Sequence, residues 1–505
     1  MVKSGSGEPR ARRKITPQPE ALKFIPEAMA RKYIVIPLVV EGDALRVAMA
    51  NPSDIFALEA LATRSQMRIE PELATAQEIQ EEIDFNYKAF DEIEKQISNI
   101  SLPGGTATIE QIRLDTATDA PVAQALTLII EEAVKARASD IHIQPEENSL
   151  RVRYRIDGTL QDTLSLPRAT ATPLISRIKI LANMNIADHN RPQDGQFSVN
   201  SKGRLIDIRV ETIATVNGEM AALRLLDKSR ATLTLADLGF LPNSLDKFEK
   251  MLKVPYGMLL VSGPTGAGKT TTLYASVNCF DRIGRNIITV EDPVEYHFKN
   301  INQIQVNPKA GITFAGGLRS ILRLDPDVIL VGEIRDAETA NIAIQSALTG
   351  HLVLSSIHAN DAVGVVFRLL DLGVEPFLVS SALIGVVAQR MVRRVCPDCA
   401  RPIEAPLIER MTYAREVGEE RSEFPYGAGC PSCANAGYRG RTGIFEILSM
   451  SDELRTLVLK GGTAKQLADE AIKEGMVTLL RDGMFKVKED VTTPSEVLRN
   501  AYAVE

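Results

Sequence analysis

The sequence predicts a multidomain α/β fold, and three observations carry that prediction. An apolar run at 258–261 breaks into Gly263-Pro264-Thr265-Gly266-Ala267-Gly268-Lys269-Thr270-Thr271 and then into a helical pattern, so a buried parallel strand, a tight glycine loop and a helix follow one another. Downstream, the apolar strands 286–290 and 328–331 lead into acids, Glu291 and Glu333, as strands of an open α/β sheet do where they meet a ligand. Upstream, the alternation in Arg151-Val152-Arg153-Tyr154-Arg155-Ile156 marks a half-exposed sheet.

Composition bounds the class. A chain of 505 residues suits about three or four domains. It is 45% hydrophobic and 24% charged, ordinary for a soluble globular protein. No stretch approaches the roughly 20 uninterrupted apolar residues that a membrane helix requires. The basic cluster Arg10, Arg12, Arg13, Lys14 is followed by no apolar segment, so it is not a signal peptide, and a cytoplasmic location is expected. The cluster reads as a solvated run, with weak attraction to an anionic bilayer as the alternative. A net charge of −7 leaves no overall nucleic-acid footprint, and no nucleic-acid partner is expected.

Taken in order, residues 1–16 are a polar tail of disordered composition. Residues 17–87 form a small α/β domain: a helix over 21–33, a strand at 34–40 ended by Glu41-Gly42-Asp43, a hairpin partner at 45–49, and a helix over 54–63 with Asp54 at its cap. It carries no catalytic pattern and reads as a docking module. Residues 88–107 are a linker, where Pro103, Gly104 and Gly105 stop any helix.

A second α/β domain spans 108–228. Its helix covers 121–136, and Ser139-Asp140-Ile141-His142-Ile143 then switches to period two. Val152, Tyr154 and Ile156 face inward before a turn at Asp157-Gly158; Ile206, Ile208 and Val210 do the same while Asp207 and Arg209 point out. The arginine face has two readings: an ordinary solvated surface, or guanidinium forks presented toward phosphates at a subunit interface, with Asp140 and His142 as orienting groups. Residues 191–195 read as a turn. A linker at 229–237 leads to the third domain, 238–505.

That domain holds the phosphate loop. Glycines let successive N–H groups face a phosphate chain, and the helix opening at Lys269 adds its positive end. Lys269 is placed to neutralise the outer phosphates and the Thr270 hydroxyl to ligate Mg²⁺. Glu333, standing where an aspartate is usual, is the catalytic candidate, able to orient the attacking water or to hold Mg²⁺ through water, and Glu291 is a second catalytic candidate. The segment 346–360 contains an apolar strand ending in Ser355, Ser356 and His358. His358 is either structural or a group that senses the terminal phosphate.

Five cysteines are present, four of them in Cys396-Pro-Asp-Cys399 and Cys430-Pro-Ser-Cys433. In a cytosolic chain such pairs are metal ligands rather than disulfides, and two such turns complete a closed tetrahedron that suits Zn²⁺, with an iron–sulfur centre as the competitor. This module spans 394–437. Cys279 reads as core. A strand at 444–448 and a helix at 463–472 with an N-cap follow, within a helical extension over 450–505.

With these segments placed, the chain resembles the secretion-superfamily ATPases of type II secretion and type IV pilus assembly. The resemblance rests on 263–271, on Val-Glu-Asp-Pro-Val-Glu at 290–295, on Val-Gly-Glu-Ile-Arg-Asp at 331–336, on Thr-Gly-His and His358 within 349–358, on Ala-Ser-Asp-Ile-His-Ile at 138–143, and on the paired Cys-x-x-Cys motifs. It covers about 120–500 strongly and 17–87 weakly. It implies a RecA-like P-loop ATPase core preceded by a PAS-like α/β domain and the small N-terminal α/β domain, with an inserted zinc-binding module.

It further implies ATP, Mg²⁺ and Zn²⁺, and a homohexamer in which the arginine-bearing domain completes the nucleotide site. Arg191, Arg204 and Arg209 are the arginines expected to reach the terminal phosphate. The implied partners are an inner-membrane platform protein and a cytoplasmic-facing adaptor, the chain itself being cytoplasmic and peripherally held at the inner membrane. Retraction motors of the superfamily lack the cysteine module, so its presence favours assembly. The opening Arg-Leu-Gly and the repeated leucines of the version that binds cyclic di-GMP are absent. Two other classes remain from the residues alone: a RecA-like DNA translocase or helicase, and a nucleotide-gated scaffold without productive hydrolysis.

Overall fold

The structure, a computed structural model, describes residues 17, 19–80, 82–83, 87, 119–201, 204–227 and 233–501. The expected tail 1–16, the linker 88–107 and most of the linker 229–237 lie outside them. The described residues divide into two compact units, the first taking those up to Asp227 together with Ala428–Gly437 and the second the remainder.

The first unit opens with α1 (Pro19–Leu22) and α2 (Glu27–Tyr33). One helix over 21–33 was expected; Pro26 divides it, standing in extended conformation at the cap of α2, where a proline ring cannot continue a preceding helix. β1 (Val35–Glu41) and β2 (Ala44–Met49) form the expected antiparallel hairpin. α3 (Ile55–Ser65) is capped by Asp54, whose carboxylate accepts from the Ala57 N–H at 3.1 Å. β3 (Arg68–Leu73) returns parallel to β2 and was not foreseen, because Arg-Ile-Glu-Pro-Glu-Leu lacks a clear apolar alternation. Ile36, Leu45, Val47 and Leu61 fill the core beneath this sheet.

Further along, α4 (Asp119–Lys135) and α5 (Ala171–Leu181) pack on one face of a six-stranded sheet made of β4 (Ala138–Pro145), β5 (Ser149–Ile156), β6 (Thr159–Pro167), β7 (Gln193–Ser201), β8 (Arg204–Thr215) and β9 (Gly218–Asp227). The order is β6-β5-β4-β9-β8-β7 and every pairing is antiparallel. Val152, Tyr154, Ile156, Ile206, Ile208 and Val210 are buried as their alternation requires. The expected turn at 191–195 is shorter than read: Gln193, Asp194 and Gly195 already pair with Thr212, Glu211 and Val210 as the start of β7.

The second unit begins with a 3₁₀ turn at Leu235–Leu238 capped by Thr234, at the end of the expected linker. Its central sheet has seven strands: β10 (Gly257–Ser262), β11 (Ile287–Glu291), β12 (Asn302–Gln305), β13 (Val328–Val331), β14 (Leu352–Ile357), β15 (Leu383–Val395) and β18 (Tyr438–Ser449), in the order β12-β11-β13-β14-β10-β15-β18. All pairings are parallel except β15 with β18. β10, β11, β13 and β14 are buried along their whole length, which is why they read as continuous apolar runs instead of alternating ones.

Helices α6 (Pro242–Leu252), α7 (Lys269–Asn278), α8 (Phe314–Ile321), α9 (Ala337–Leu348), α10 (Ala362–Asp371) and α11 (Pro376–Ala382) cover the sheet. Between the cysteine pairs, β16 (Ala400–Glu404) and β17 (Glu423–Gly427) form a hairpin around α12 (Leu407–Val417). The C-terminal part is helical, as expected: α13 (Asp452–Leu459), α14 (Ala464–Lys473) with Thr463 and Gln466 forming a capping box, α15 (Leu479–Lys488) and α16 (Pro494–Ala501). Cys279 departs from expectation. It caps the C-terminus of α7 and is exposed, since the helix is buried over Thr272–Val277 and emerges at its end.

Candidate nucleotide site and cysteine cluster

β10 delivers the chain to the sheet's C-terminal edge, and residues 263–268 turn there into α7, which starts at Lys269 as read from the sequence. Gly268 caps α7 at φ 88° and offers no side chain to its first-turn N–H groups, so these amides remain suited to an anion. Gly263, at φ 146°, lies so close to β15 that a Cβ would stand 2.4 Å from the Gln389 carbonyl oxygen. The Lys269 ammonium folds back over the loop, donating to the carbonyls of Gly263 (2.6 Å) and Pro264 (3.1 Å). Thr270 is exposed on the first turn of α7. Thr265 and Gly266 are exposed at the loop's crest, while Ala267 is buried beneath it.

The strand order sets the rest of the edge. β14 lies between β10 and β13, so the loop and the residues after β13 are two strand spacings apart, about 10 Å. Glu333 follows β13. Its side chain is 15% exposed, pairs with Arg335, and has Oε2 3.8 Å from Nε2 of His358, which follows β14. The backbone on either side is pinned: the Gly332 N–H donates to Val290 O (2.8 Å), Ile334 N–H to Ser356 O (2.9 Å), and the Ser356 hydroxyl to Gly332 O (2.8 Å). The edge therefore presents a lysine loop, a histidine and a carboxylate in that lateral order.

Glu291 requires a correction. It reads as an acid open to ligand at a strand's end, yet it is 4% exposed, and its oxygens accept from the Tyr274 hydroxyl, the Thr289 hydroxyl (2.5 Å) and the Gln303 amide (3.2 Å). Tyr274 also accepts from the Glu295 N–H at 3.1 Å. Glu291 thus braces the loop after β11 from below, and burial beside this carboxylate raises the Tyr274 phenol far above its ordinary range. The two histidines of the 349–358 segment also part company. His351 precedes β14 at the opposite edge, about 20 Å from His358 by strand length, and its Nδ1 lies 2.9 Å from Ser346 O.

On the first unit, the arginine face is knitted to acids of its own sheet. Arg151 is bidentate to Asp162 (2.6 and 2.7 Å), Arg153 donates to Gln144, and Asp140 takes Arg224 (3.1 Å) and Arg155 (3.7 Å). Asp140 thus holds two of the sheet's arginines. Burial lowers the pKa of His142, with Asp140 opposing. Arg191 is 85% exposed beside Asp188, whose carboxylate receives the Asn190 and Arg191 N–H groups. Arg209 is half-buried on β8, and Arg204 opens that strand opposite Ser201.

The sulfurs of Cys396, Cys399, Cys430 and Cys433 all lie within 4.8 Å of one another. A tetrahedral Zn–S₄ centre with bonds of about 2.3 Å has edges of about 3.8 Å, and the Cys430–Cys433 separation is 3.7 Å. The N–H groups of Cys430 (3.2 Å) and Gly437 (3.3 Å) point at the Cys433 sulfur, the donor pattern that steadies a thiolate. The donor set fits a closed structural zinc site.

The family described as Type II/IV secretion system protein matches residues 115–499. The chain belongs to this family. Residues 11–92 match the MshEN domain, in a stretch whose sequence resemblance was only weak. Among relatives of this secretion family, the type IV pilus assembly ATPase PilB of Myxococcus xanthus is 41% identical over 491 residues, covering 96% of this chain and 87% of that one. The type II secretion system ATPase E of Vibrio cholerae is 46% identical over 386 residues, 76% of each chain. The pilus retraction motor PilT, solved with bound ADP, superposes with a TM-score of 0.50 at 25% identity, over 74% of this chain and 96% of that one. Among the described residues, no helix is long and apolar enough to cross a membrane.

Two polar residues escaped the sequence analysis. Gln389 and Arg390 sit side by side on β15 and are 2% and 6% exposed. Arg390 donates to Asn360 O at 2.7 Å, on the segment after His358. The signal was available: an uncharged polar residue and a cation interrupt an apolar strand pattern just where β10 ends.

Proposed function

We propose that this secretion-family ATPase hydrolyses ATP at the edge carrying Lys269 and Glu333, and that as a homohexamer it drives assembly of pilin or pseudopilin fibres. The observation that carries the reading is the lateral order on one sheet edge: the loop of Lys269, then His358, then the pinned carboxylate of Glu333. The amides of 263–268 and the Lys269 ammonium would hold the phosphate tail, with Thr270 the protein ligand for the divalent cation. When bound, Mg²⁺ supplies charge neutralisation between the outer phosphates. Glu333 orients water and takes its proton; His358, adjacent to it, registers the terminal phosphate; Glu291 keeps the loop after β11 in place.

Arg191, Arg204 and Arg209 are the groups expected to reach a neighbouring subunit's nucleotide, residues 108–228 being the domain that carries them. The domain at 17–87 is a docking module toward an inner-membrane platform and a cytoplasmic-facing adaptor, which would hold the chain peripherally at the membrane. Zn²⁺ at the four cysteines is structural. The likeness to PilB along nearly the whole chain and to ATPase E over three quarters of it supports this function. The test is Mg²⁺-dependent phosphate release by the purified chain. Lys269→Ala should abolish both ATP binding and turnover, and a variant that still turns over ATP would remove the site assignment.

A further inference from the structure

The phosphate loop has a fixed floor, and its fixing point is a side chain on another strand. Gln389 uses both ends of its amide on the loop and the helix after it. Its Nε2 donates to Ala267 O at 2.7 Å, and its Oε1 accepts from the Thr272 hydroxyl at 2.8 Å, across 122 and 117 residues of chain. Both residues it holds are buried, Ala267 at 3% and Thr272 at 1% exposed. The loop presses on the same residue at both ends: a Cβ at Gly263 would meet the Gln389 carbonyl oxygen at 2.4 Å, and one at Gly268 its Nε2 at 3.3 Å.

This contact answers a problem inherent in the loop. Turning successive N–H groups toward an anion turns carbonyls the other way, and a buried carbonyl needs a donor. Ala267 O, directly before the helix cap, is such a carbonyl, and Gln389 is its donor. With three glycines at positive φ, the loop's own preferences are broad. A second strand must therefore select its binding shape.

We propose that Gln389 is a positioning residue for nucleotide binding, holding the phosphate loop in its ATP-receiving conformation from outside the loop. The proposal rests on the reading that residues 263–271 bind ATP. Without the clamp the loop spends less time in the competent shape, and apparent affinity falls by that fraction. The bound state, once formed, reacts normally. The signature is therefore a split: KM for ATP rises and kcat holds.

The experiment measures ATP hydrolysis against ATP concentration at saturating Mg²⁺ with the full-length chain, in Gln389→Leu, Thr272→Val, Thr272→Ser and the Gln389→Leu/Thr272→Val double variant. Loss of two buried hydrogen bonds predicts a rise in KM of about tenfold for Gln389→Leu, with kcat within about twofold of the parent. Thr272→Val should give a smaller rise, Thr272→Ser should restore the parent value, and the double variant should be no worse than Gln389→Leu, since both act through one amide. An unchanged KM in Gln389→Leu, or additive effects in the double variant, overturns the proposal. If Gln389→Leu does not yield folded protein, the Val/Ser pair at Thr272 decides: equal KM values for the two overturn it. Lys269→Ala run in parallel separates the layers. If it retains turnover, the site reading falls; if it is inactive while Gln389→Leu keeps the parent KM, only the clamp falls.

Discussion

Replacing Glu333 by glutamine removes a charge and a base while leaving the shape of the site. The peptide groups on both sides of this residue are tied to β11 and β14 by three hydrogen bonds of 2.8 to 2.9 Å, none of which involves its side chain. Among the described residues, the interactions lost are the ion pair to Arg335, itself 65% exposed, and the approach of His358. A pair whose guanidinium stands largely in solvent contributes about 0–1 kcal/mol, so the unfolding transition should barely move. Loss of general-base assistance costs about 10²–10⁴ in rate, or about 3–5 kcal/mol in barrier. Nucleotide binding should survive, because the loop that holds the phosphates lies two strands away. The assay pairs phosphate release at saturating Mg²⁺ and ATP with binding of a fluorescent ATP analogue. A kcat within about tenfold of the parent, with binding intact, would refute the assignment of Glu333.

Two further outcomes follow from geometry away from that edge. Elemental analysis should find one zinc per chain, lost in Cys396→Ser; iron with visible absorbance would overturn the zinc reading. Arg393 grips Glu496 through Nε (3.0 Å) and Nη2 (2.7 Å), with Glu496 3% exposed. Arg393→Ala leaves that buried carboxylate only the backbone N–H of residue 393 (3.2 Å) and the more distant Arg499 (3.9 Å); it should destabilise the second unit by up to about 3–5 kcal/mol in denaturant unfolding, and an unshifted transition would deny the pair its role. Burial pushes the Glu496 carboxyl up, but its bonds to Arg393 outweigh this and hold it below the usual carboxylate range. The pair's contribution should therefore be full above about pH 5 and fade as pH drops below the ordinary glutamate value of about 4.3. In Arg393→Ala this acid-side loss should disappear.

The parts of the fold legible in the sequence were those whose signal is local. The loop at 263–271, the start of α7, the caps Asp54 and Thr463 and the inward faces of β5 and β8 each depend on residues within a turn or two. Elements defined by a distant partner were not legible. β3 and β7 are largely polar and become strands through pairing with β2 and β8. Position within a strand end also misled: Glu291 and Glu333 look equivalent in sequence, but one is enclosed by Tyr274, Thr289 and Gln303 while the other lies between His358 and Arg335. Gln389 carried an anomalous polarity, yet its partners lie more than a hundred residues away.

β15 runs alongside β10 only as far as Ala388, whereas its pairing with β18 continues to Val395 opposite Tyr438. Past the parallel strands it is thus half of a two-stranded arm, with the cysteine turns at the tip. The stretch from 400 to 427 leaves and re-enters at that tip, and Ala405, Tyr413 and Phe424 pack it onto Met484, Val487 and Val497 of α15 and α16, away from the parallel strands. For anyone wishing to insert a reporter or graft a foreign recognition loop, the exposed turn at 418–420 between α12 and β17 is the place where the chain can grow while that packing stays in place.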